Sequence, residues 1–202
     1  MIVKSKGDYE NAPAGMHVAR CVSLIDLGTQ TVTWQNDVKH QRKVRLVFEL
    51  PETKMADGRP FTISRRYTLS LSKKSALRRD LVSWRGREFT KEEEAGFELK
   101  NVLGAPAYLN VIEEGEYANI STISPLPKKA KAPKQVNPQV YFSLDPGEFD
   151  PKVYATFGEG TKEVIAKSPE FQALTADGGS QADAPTDDAD APPADADDDV
   201  PF

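Results

Sequence analysis

The sequence predicts a mainly β protein: a five-stranded barrel with a helical insert between strands three and four, a short helical C-terminal extension and an acidic tail. Apolar and polar residues alternate, as in half-buried strands, over most of residues 14–123, and helical spacing interrupts this pattern after the third strand. From about residue 175 the chain is rich in Ala, Asp, Gly and Pro, which bury too little apolar surface to fold.

Three strands are predicted in the first part of the chain. The alternation of the first strand breaks near residues 23–25, which indicates a bend or a bulge. Residues 28–41 form a polar loop or a hairpin extension, and Asp57-Gly58 marks a turn. Arg65 interrupts the apolar face of the third strand, and we interpret it as the edge of that face that reaches solvent. The predicted strands cover Ala14 to Leu27, Arg42 to Leu50 and Phe61 to Leu71.

The helical insert comes next. Leu77, Leu81 and Trp84 recur on one stripe of a helix that Ser72 can cap and Gly86 can end. A capping box predicts a second, short helix, and its two residues are Thr90 and Glu93. The last two strands are predicted over Pro106 to Ile112 and Tyr117 to Ile123.

Three strands, a helical insert and two strands follow the order of the OB-fold, a small Greek-key barrel. An SH3-like barrel has no comparable helix at that place and is disfavoured. The extension is too small for a core of its own, so we expect it to pack on the barrel or on a partner. The predicted organisation is a flexible N-terminus (1–13), an OB-fold domain (14–127), a basic Pro-rich linker (128–139), a partly helical extension (140–174) and a disordered acidic tail (175–202).

The charge of the chain is distributed unevenly. Residues 1–135 carry 23 Lys and Arg against 16 Asp and Glu, although the whole chain has a formal net charge of −5. The stretch from Asp177 to Phe202 contains nine Asp and no Lys or Arg. A basic body favours a polyanionic partner and an acidic tail favours a basic one, while an aid to solubility is the alternative explanation of the tail.

The sequence offers little for catalysis. Its two His are far apart, its single Cys cannot form an internal disulfide, and it has no glycine-rich phosphate loop or nucleophile elbow. We therefore predict a binding protein rather than an enzyme, with no metal or cofactor. The chain lacks an apolar signal core and an apolar run long enough to span a membrane, which predicts a cytoplasmic protein.

An OB barrel binds single strands across strands two and three, between the loops that join strands one and two and strands four and five. Here these elements interleave cations, which can track phosphates, with aromatic rings, which can stack on bases. Tyr67 also has the parity of the core, Trp34 can equally pack, and only one of the adjacent Arg65 and Arg66 need contact a strand. The candidate DNA-contacting residues are Trp34, Lys39, Arg42, Lys43, Arg45, Arg59, Arg65, Arg66, Tyr67 and Tyr117.

The stretch Asp197-Asp198-Asp199-Val200-Pro201-Phe202 resembles the acidic tip of bacterial single-stranded DNA-binding proteins. The resemblance implies that Phe202 fills a hydrophobic pocket on partner enzymes and that its carboxylate meets a basic residue. It also implies that Asp197 to Asp199 meet a basic rim. The implied partners are replication or recombination enzymes, such as a polymerase, helicase, nuclease or recombinase.

The body, over about residues 14–127, contains a series of short stretches: Ala19 to Val22, Asp26 to Gln30, Val47 to Leu50, Arg66 to Leu71 with Lys74-Ser75, Trp84 to Arg87 with Phe89-Thr90, and Leu103-Gly104. In these stretches it resembles phage-encoded OB-fold proteins that are taken to bind single strands. The resemblance implies a protein that coats single-stranded DNA in replication, recombination or repair in a bacterial host, with a homodimer left open. Cellular single-stranded DNA-binding proteins lack the long helical insert, so their tetramer and stacking residues are not carried over.

Two other functions stay open. The first is a protein-binding adaptor of the replication machinery, which the mixed charges of Arg45 and Glu49 on one strand face support. The second is an acidic mimic of DNA, which the surplus of positive charge in residues 1–135 opposes.

Overall fold

The computed structural model describes residues 10–34 and 37–178. Most of the strands lie in the first part of the chain, and three helices follow the last strand. The strands are β1 (Gly15–Trp34), β2 (Asp37–Lys54), β3 (Pro60–Thr68), β4 (Pro106–Glu114), β5 (Tyr117–Ser124) and β6 (Val140–Phe142). The helices are α1 (Ala76–Arg85), α2 (Lys91–Ala95), α3 (Pro151–Ala155), α4 (Glu159–Ala166) and α5 (Pro169–Gly178), with a 3-10 turn at Leu99–Val102.

The six strands form one sheet in the order β3-β2-β1-β4-β5, and β6 adds to β1 in parallel. All other pairings are antiparallel. The prediction of a mainly β fold with helices is confirmed. The sheet is open, because no backbone ladder joins β3 to β5 in the part of the chain that the structure describes.

A side chain bridges the gap between β3 and β5. The Arg65 guanidinium donates to the Ile120 carbonyl oxygen at 2.9 Å and lies 3.1 Å from the Asp80 carboxylate. The Arg65 side chain is 25% exposed and lies at the open edge of the sheet. Asp80 on α1 gives its charge a buried partner, which the pattern of the strand alone cannot reveal.

The strands β1 and β2 form a long antiparallel hairpin. Of the two options for residues 28–41, the hairpin extension is the one observed, and its register continues to Trp34 opposite Asp37. The register shifts twice along β1, between Cys21 and Ser23 and between Asp26 and Gly28. The first shift confirms the predicted irregularity, and at the second Gly28 adopts a left-handed φ of 68°.

The main core lies between the inner face of the sheet and α1. Alternate residues of β2 and β3 point into it, and the helix contributes Leu77, Leu81 and Trp84. The Trp84 ring meets the Phe48 ring edge to face, with centroids 5.4 Å apart. The predicted apolar stripe of the helix is thus confirmed.

The ends of the helices show which capping signals act. Ser75 caps α1 by accepting from the Arg78 amide at 3.1 Å, so Ser72 is not the cap and the helix begins later than predicted. Gly86 ends α1 in a left-handed conformation. The capping box of Thr90 and Glu93 at α2 is confirmed.

A second core lies on the outer face of β1. There Ile25 and Leu27 pack against Phe142, Leu144 and Ile165 from the C-terminal extension. Of the two options for this extension, packing on the sheet is therefore the one observed. Partly buried side chains around this core are Val47, Phe149, Val153, Tyr154, Phe157, Val164, Phe171 and Leu174.

Among the described residues, no helix is both long and apolar enough to cross a membrane.

Candidate nucleic-acid interface

The outer face of β3 stays open to solvent and faces a row of cations on β2. Strand alternation puts Thr62, Ser64 and Arg66 on this face, and all three are exposed. The register sets Arg66 directly opposite Arg45 and sets Thr68 opposite Lys43. Two guanidinium groups therefore lie side by side at the centre of the face.

The Arg45–Arg66 pair has no carboxylate partner among the residues that the structure describes. Arg45 is half-buried and donates to the Thr161 hydroxyl of α4 at 2.9 Å, which leaves its charge uncompensated. Burial lowers the pKa of Arg45 from its ordinary value, and the positive charge of Arg66 lowers it further. Like charges directly opposite each other on antiparallel strands destabilise a sheet, by about 0.2–1 kcal/mol on the usual scale of cross-strand pairs. A bound anion would remove this repulsion.

Three adjoining hollows meet at Arg66 and form a groove along β3. The central hollow has a volume of about 630 Å³ and runs between Arg45 and the β4–β5 turn. A second, of about 600 Å³, extends toward Lys43 and Lys74. The third, of about 530 Å³, lies beside β5 and includes Glu114, the one acid among the described residues that line the groove. Cations therefore dominate the lining.

The groove also offers an aromatic ring and uncharged polar groups. Tyr117 is 68% exposed at the start of β5, which leaves its ring accessible for stacking. Asn119 donates to Glu114 at 2.7 Å and lies on the same wall. Lys43 Nζ donates to Gln41 Oε1 at 2.7 Å and to Thr68 Oγ1 at 2.8 Å. It has no carboxylate partner among the described residues, and burial lowers its pKa.

Two predicted site residues are held in ion pairs away from the groove. Arg42 forms salt bridges with Asp26 and, at 2.7 Å, with Asp145, and the hydrogen bond to Asp26 is the main cause of its raised pKa. Arg59 lies in the β2–β3 turn and pairs with Asp57 at 2.6 Å. The charges of both side chains are already compensated, so we do not retain them in the interface.

The core takes up Tyr67, and Arg65 is committed to the bridge between β3 and β5. Tyr67 is 3% exposed and donates its hydroxyl to Asp80 at 2.9 Å, so its ring cannot stack on a ligand in this structure. Lys39 is exposed on the hairpin, with its Nζ 3.8 Å from Asp37. The retained candidates are Lys43, Arg45, Arg66 and Tyr117.

Other predicted site residues fall outside the described part of the chain. The backbone of Trp34 ends β1, but its side chain is not described, and Asp197 to Phe202 are not described at all. Their predicted roles stay predictions.

The structure adds residues that sequence reasoning missed. Ser64 and Thr62 share the strand parity of Arg66, so the alternation of β3 contained the signal for them. Lys74 lies just before α1 and also lines the groove. Asn11 and Asn119 come from distant segments, and no local pattern marks them.

The described residues contain no cluster of His, Cys, Asp and Glu suited to a metal ion. Cys21 is buried in the main core, and burial raises the pKa of its thiol to about 12. This thiol is a packing group, because the thiolate and not the thiol is the reactive species.

Comparison of the chain with models of protein families, with curated proteins and with solved structures finds no match.

Proposed function

We propose that this protein binds single-stranded DNA without sequence preference, along the groove on the outer face of β3. The observation that carries the proposal is the Arg45–Arg66 pair, two adjacent cations without a carboxylate partner among the described residues. Phosphates would neutralise the pair and release counterions. Tyr117 offers a stacking surface that accepts any base, since every base has a π-face.

The strand order supports an OB-type barrel as the scaffold. The order β3-β2-β1-β4-β5, with α1 between β3 and β4, becomes an OB barrel once β3 and β5 adjoin. Arg65 already connects these two strands through the Ile120 carbonyl oxygen. The open seam would then be a local departure from a closed barrel.

The proposed biological role follows the resemblance of the sequence to phage proteins. The protein would coat single strands during replication, recombination or repair of phage DNA. The stretch from Asp197 to Phe202 would bind a partner enzyme, with Phe202 in an apolar pocket and the Asp run against basic residues. Phe202→Ala should then leave DNA affinity unchanged and weaken binding to the partner.

The structure removes one argument for the adaptor alternative. That alternative relied on Glu49 as a surface acid beside Arg45, but Glu49 is fully buried. Its carboxylate accepts from the amides of Val136 and Asn137, each at 2.8 Å. Glu49 therefore contributes no negative charge to the surface beside Arg45.

Titration of the full chain with oligothymidylate and with duplex DNA tests the proposal. We expect preferential binding to the single strand, with log Kd depending linearly on log salt. Arg66→Gln should weaken binding about tenfold, on the scale of one lost phosphate contact at low salt. Arg59→Gln removes the same charge from the β2–β3 turn, where Asp57 compensates it, and should change affinity less than about twofold.

Absence of any single-strand binding by the unaltered protein would sink the proposal. Equal losses in Arg66→Gln and Arg59→Gln would show that overall charge, and not the groove, determines affinity.

A further inference from the structure

A second cationic segment crosses the same face of the sheet. The stretch from Tyr117 to Leu144 contains no Asp or Glu, and the lysines of this stretch all lie within residues 125–138. The four lysines are exposed, and none forms an ion pair or a side-chain hydrogen bond in the described part of the chain. They are Lys128, Lys129, Lys131 and Lys134.

Two buried or half-buried charges hold this segment against the sheet. Arg20 of β1 donates to the Pro133 carbonyl oxygen from Nε at 3.1 Å and from Nη2 at 2.7 Å. Glu49 of β2 accepts from the Val136 amide, the Asn137 amide and the Asn137 side chain, each at 2.8 Å. The segment is thus fixed at two points, unlike a free linker.

Holding this segment through Glu49 requires the burial of a carboxylate, which is unfavourable and which a simple linker would not need. Glu49 is 0% exposed and pairs with no cation among the described residues, so only the three N–H donors offset the loss of hydration of its charge. The carboxylate therefore defines where the backbone lies at residues 136 and 137. The four lysines precede this point, and they are exposed although Pro133 between them is buried.

The fixed segment lies beside the end of the groove. The register places Glu49 directly opposite Thr62, and Thr62 lines the hollow that contains Arg45 and Arg66. Val136, which sits on Glu49, is 54% exposed and offers an apolar contact at the same place. The groove and the lysine segment are consequently neighbours on one face.

We propose that residues 128–137 continue the track for single-stranded DNA beyond the groove, with the lysines on the phosphates and Val136 against a base. The inference rests on the proposed function and deepens it. It assigns a binding role to a segment that the sequence alone suggested only as a linker. A strand that fills the groove alone would not reach these lysines, whereas a longer strand would contact both parts.

A matched pair of triple variants of the full chain tests the inference. The first replaces Lys128, Lys131 and Lys134 with Gln. The control replaces Lys91, Lys152 and Lys167 with Gln, which are exposed and line none of the three hollows. Both variants lose the same charge. Affinity is measured by fluorescence anisotropy at several salt concentrations, with oligothymidylates of about 5 and about 16 nucleotides, near the limits of OB-fold site sizes.

For the longer strand, we expect the first triple variant to bind about tenfold more weakly than the control at low salt. Its salt slope should be shallower by about 2, since each phosphate contact with a single strand contributes roughly 0.7. For the shorter strand the two triple variants should bind alike, because that strand occupies the groove only.

Each failure has a distinct signature. If the unaltered protein binds neither strand, the proposed function falls and this inference falls with it. If the unaltered protein binds and Arg66→Gln weakens it, but the two triple variants bind the longer strand equally, only the track over residues 128–137 is refuted. A loss that is the same for both strand lengths would also refute it, because it would show a general effect of charge.

Discussion

The outer faces of β1 and β3 belong to one side of one sheet but meet different surroundings. On β1, Ile25 and Leu27 are buried beneath the C-terminal extension. On β3, Ser64 and Arg66 face solvent and line the groove. The side chains determine this difference. The apolar side chains of β1 are stabilised by packing against the C-terminal extension, whereas the hydroxyl and guanidinium groups of β3 stay hydrated. The C-terminal extension therefore covers the apolar part of this sheet face, and the part that stays exposed to solvent is the one that carries the cations.

Between these strands, β2 belongs to both environments. Val47 packs against the second core and also lines the groove, which Arg45, two residues away on the same face, lines as well. The hydrogen bond from Arg45 to Thr161 connects the C-terminal extension to the open part of the sheet face. Val164 of the same helix lines the hollow that extends toward Lys43, so the extension forms part of the groove wall. We expect residues on the covered part to determine stability and residues on the open part to determine binding.

The largest expected effect concerns the contact between β1 and the extension. A Cβ on Gly28 would overlap the side chain of Ser168, and Gly28 has a φ of 68°. Gly28→Ala should therefore lower the free energy of unfolding by about 3–4 kcal/mol through overpacking and backbone strain, as measured by urea denaturation. Gly58→Ala is the control, because Gly58 also has a positive φ but nothing within 4 Å of the added Cβ. Equal losses would mean that strain alone acts and that the contact with Ser168 is unimportant.

The next effect concerns the covered end of β2. Glu49→Ala removes the acceptor of three N–H donors and should cost about 2–3 kcal/mol in the free energy of unfolding. Glu52→Ala, at an exposed position of the same strand, should change the free energy by less than about 0.5 kcal/mol. If Glu49→Ala left the free energy of unfolding unchanged, this would contradict the role of the buried carboxylate as an anchor.

On the open part, stability should hardly respond. Arg66→Gln is expected to shift the free energy of unfolding by less than about 0.5 kcal/mol, with relief of the repulsion from Arg45 favouring a gain. Thermal or urea unfolding of the DNA-free protein measures this change. A loss of several kcal/mol would break the comparison, since the open face would then contribute to stability as the covered face does.

The smallest expected effect is a pH dependence of the stability of the contact between β1 and the C-terminal extension. Burial acts to raise the pKa of Glu170, but hydrogen bonds from the hydroxyl and the amide of Thr29 outweigh it, and the pKa is lowered. Because the folded pKa is the lower one, the stabilisation is complete above the ordinary Glu pKa of about 4.3 and is lost as the pH falls through the folded value. The Thr29 amide signal in NMR spectra should follow this titration, and Glu170→Gln should abolish it. A titration that persists in the variant would assign it to another group.

Local patterns predicted the features that depend on neighbours in sequence. The alternation of β2 identified the face that carries Lys43 and Arg45, and the spacing of Thr90 and Glu93 identified the capping box. Parity also indicated that Tyr67 could belong to the core, where it lies.

Features that depend on residues distant in the chain could not be predicted from local patterns. Arg42 was an interface candidate because its partner Asp145 lies 103 residues further along the chain. The pattern of β3 could not show that the charge of Arg65 is compensated by Asp80 and by the carbonyl oxygen of Ile120. The short strand β6 carries too little alternation to be recognised, and its position depends on pairing with β1.

The second core also determines where the chain can be shortened. A fragment that ended at Gln139 would expose Ile25, Leu27 and Val47 to water and would free the edge of β1 at residues 23–25, which β6 now pairs. An apolar patch next to an unpaired strand edge is a template for the association of one molecule with another. The C-terminal extension therefore protects the sheet from aggregation, in addition to forming part of the groove wall.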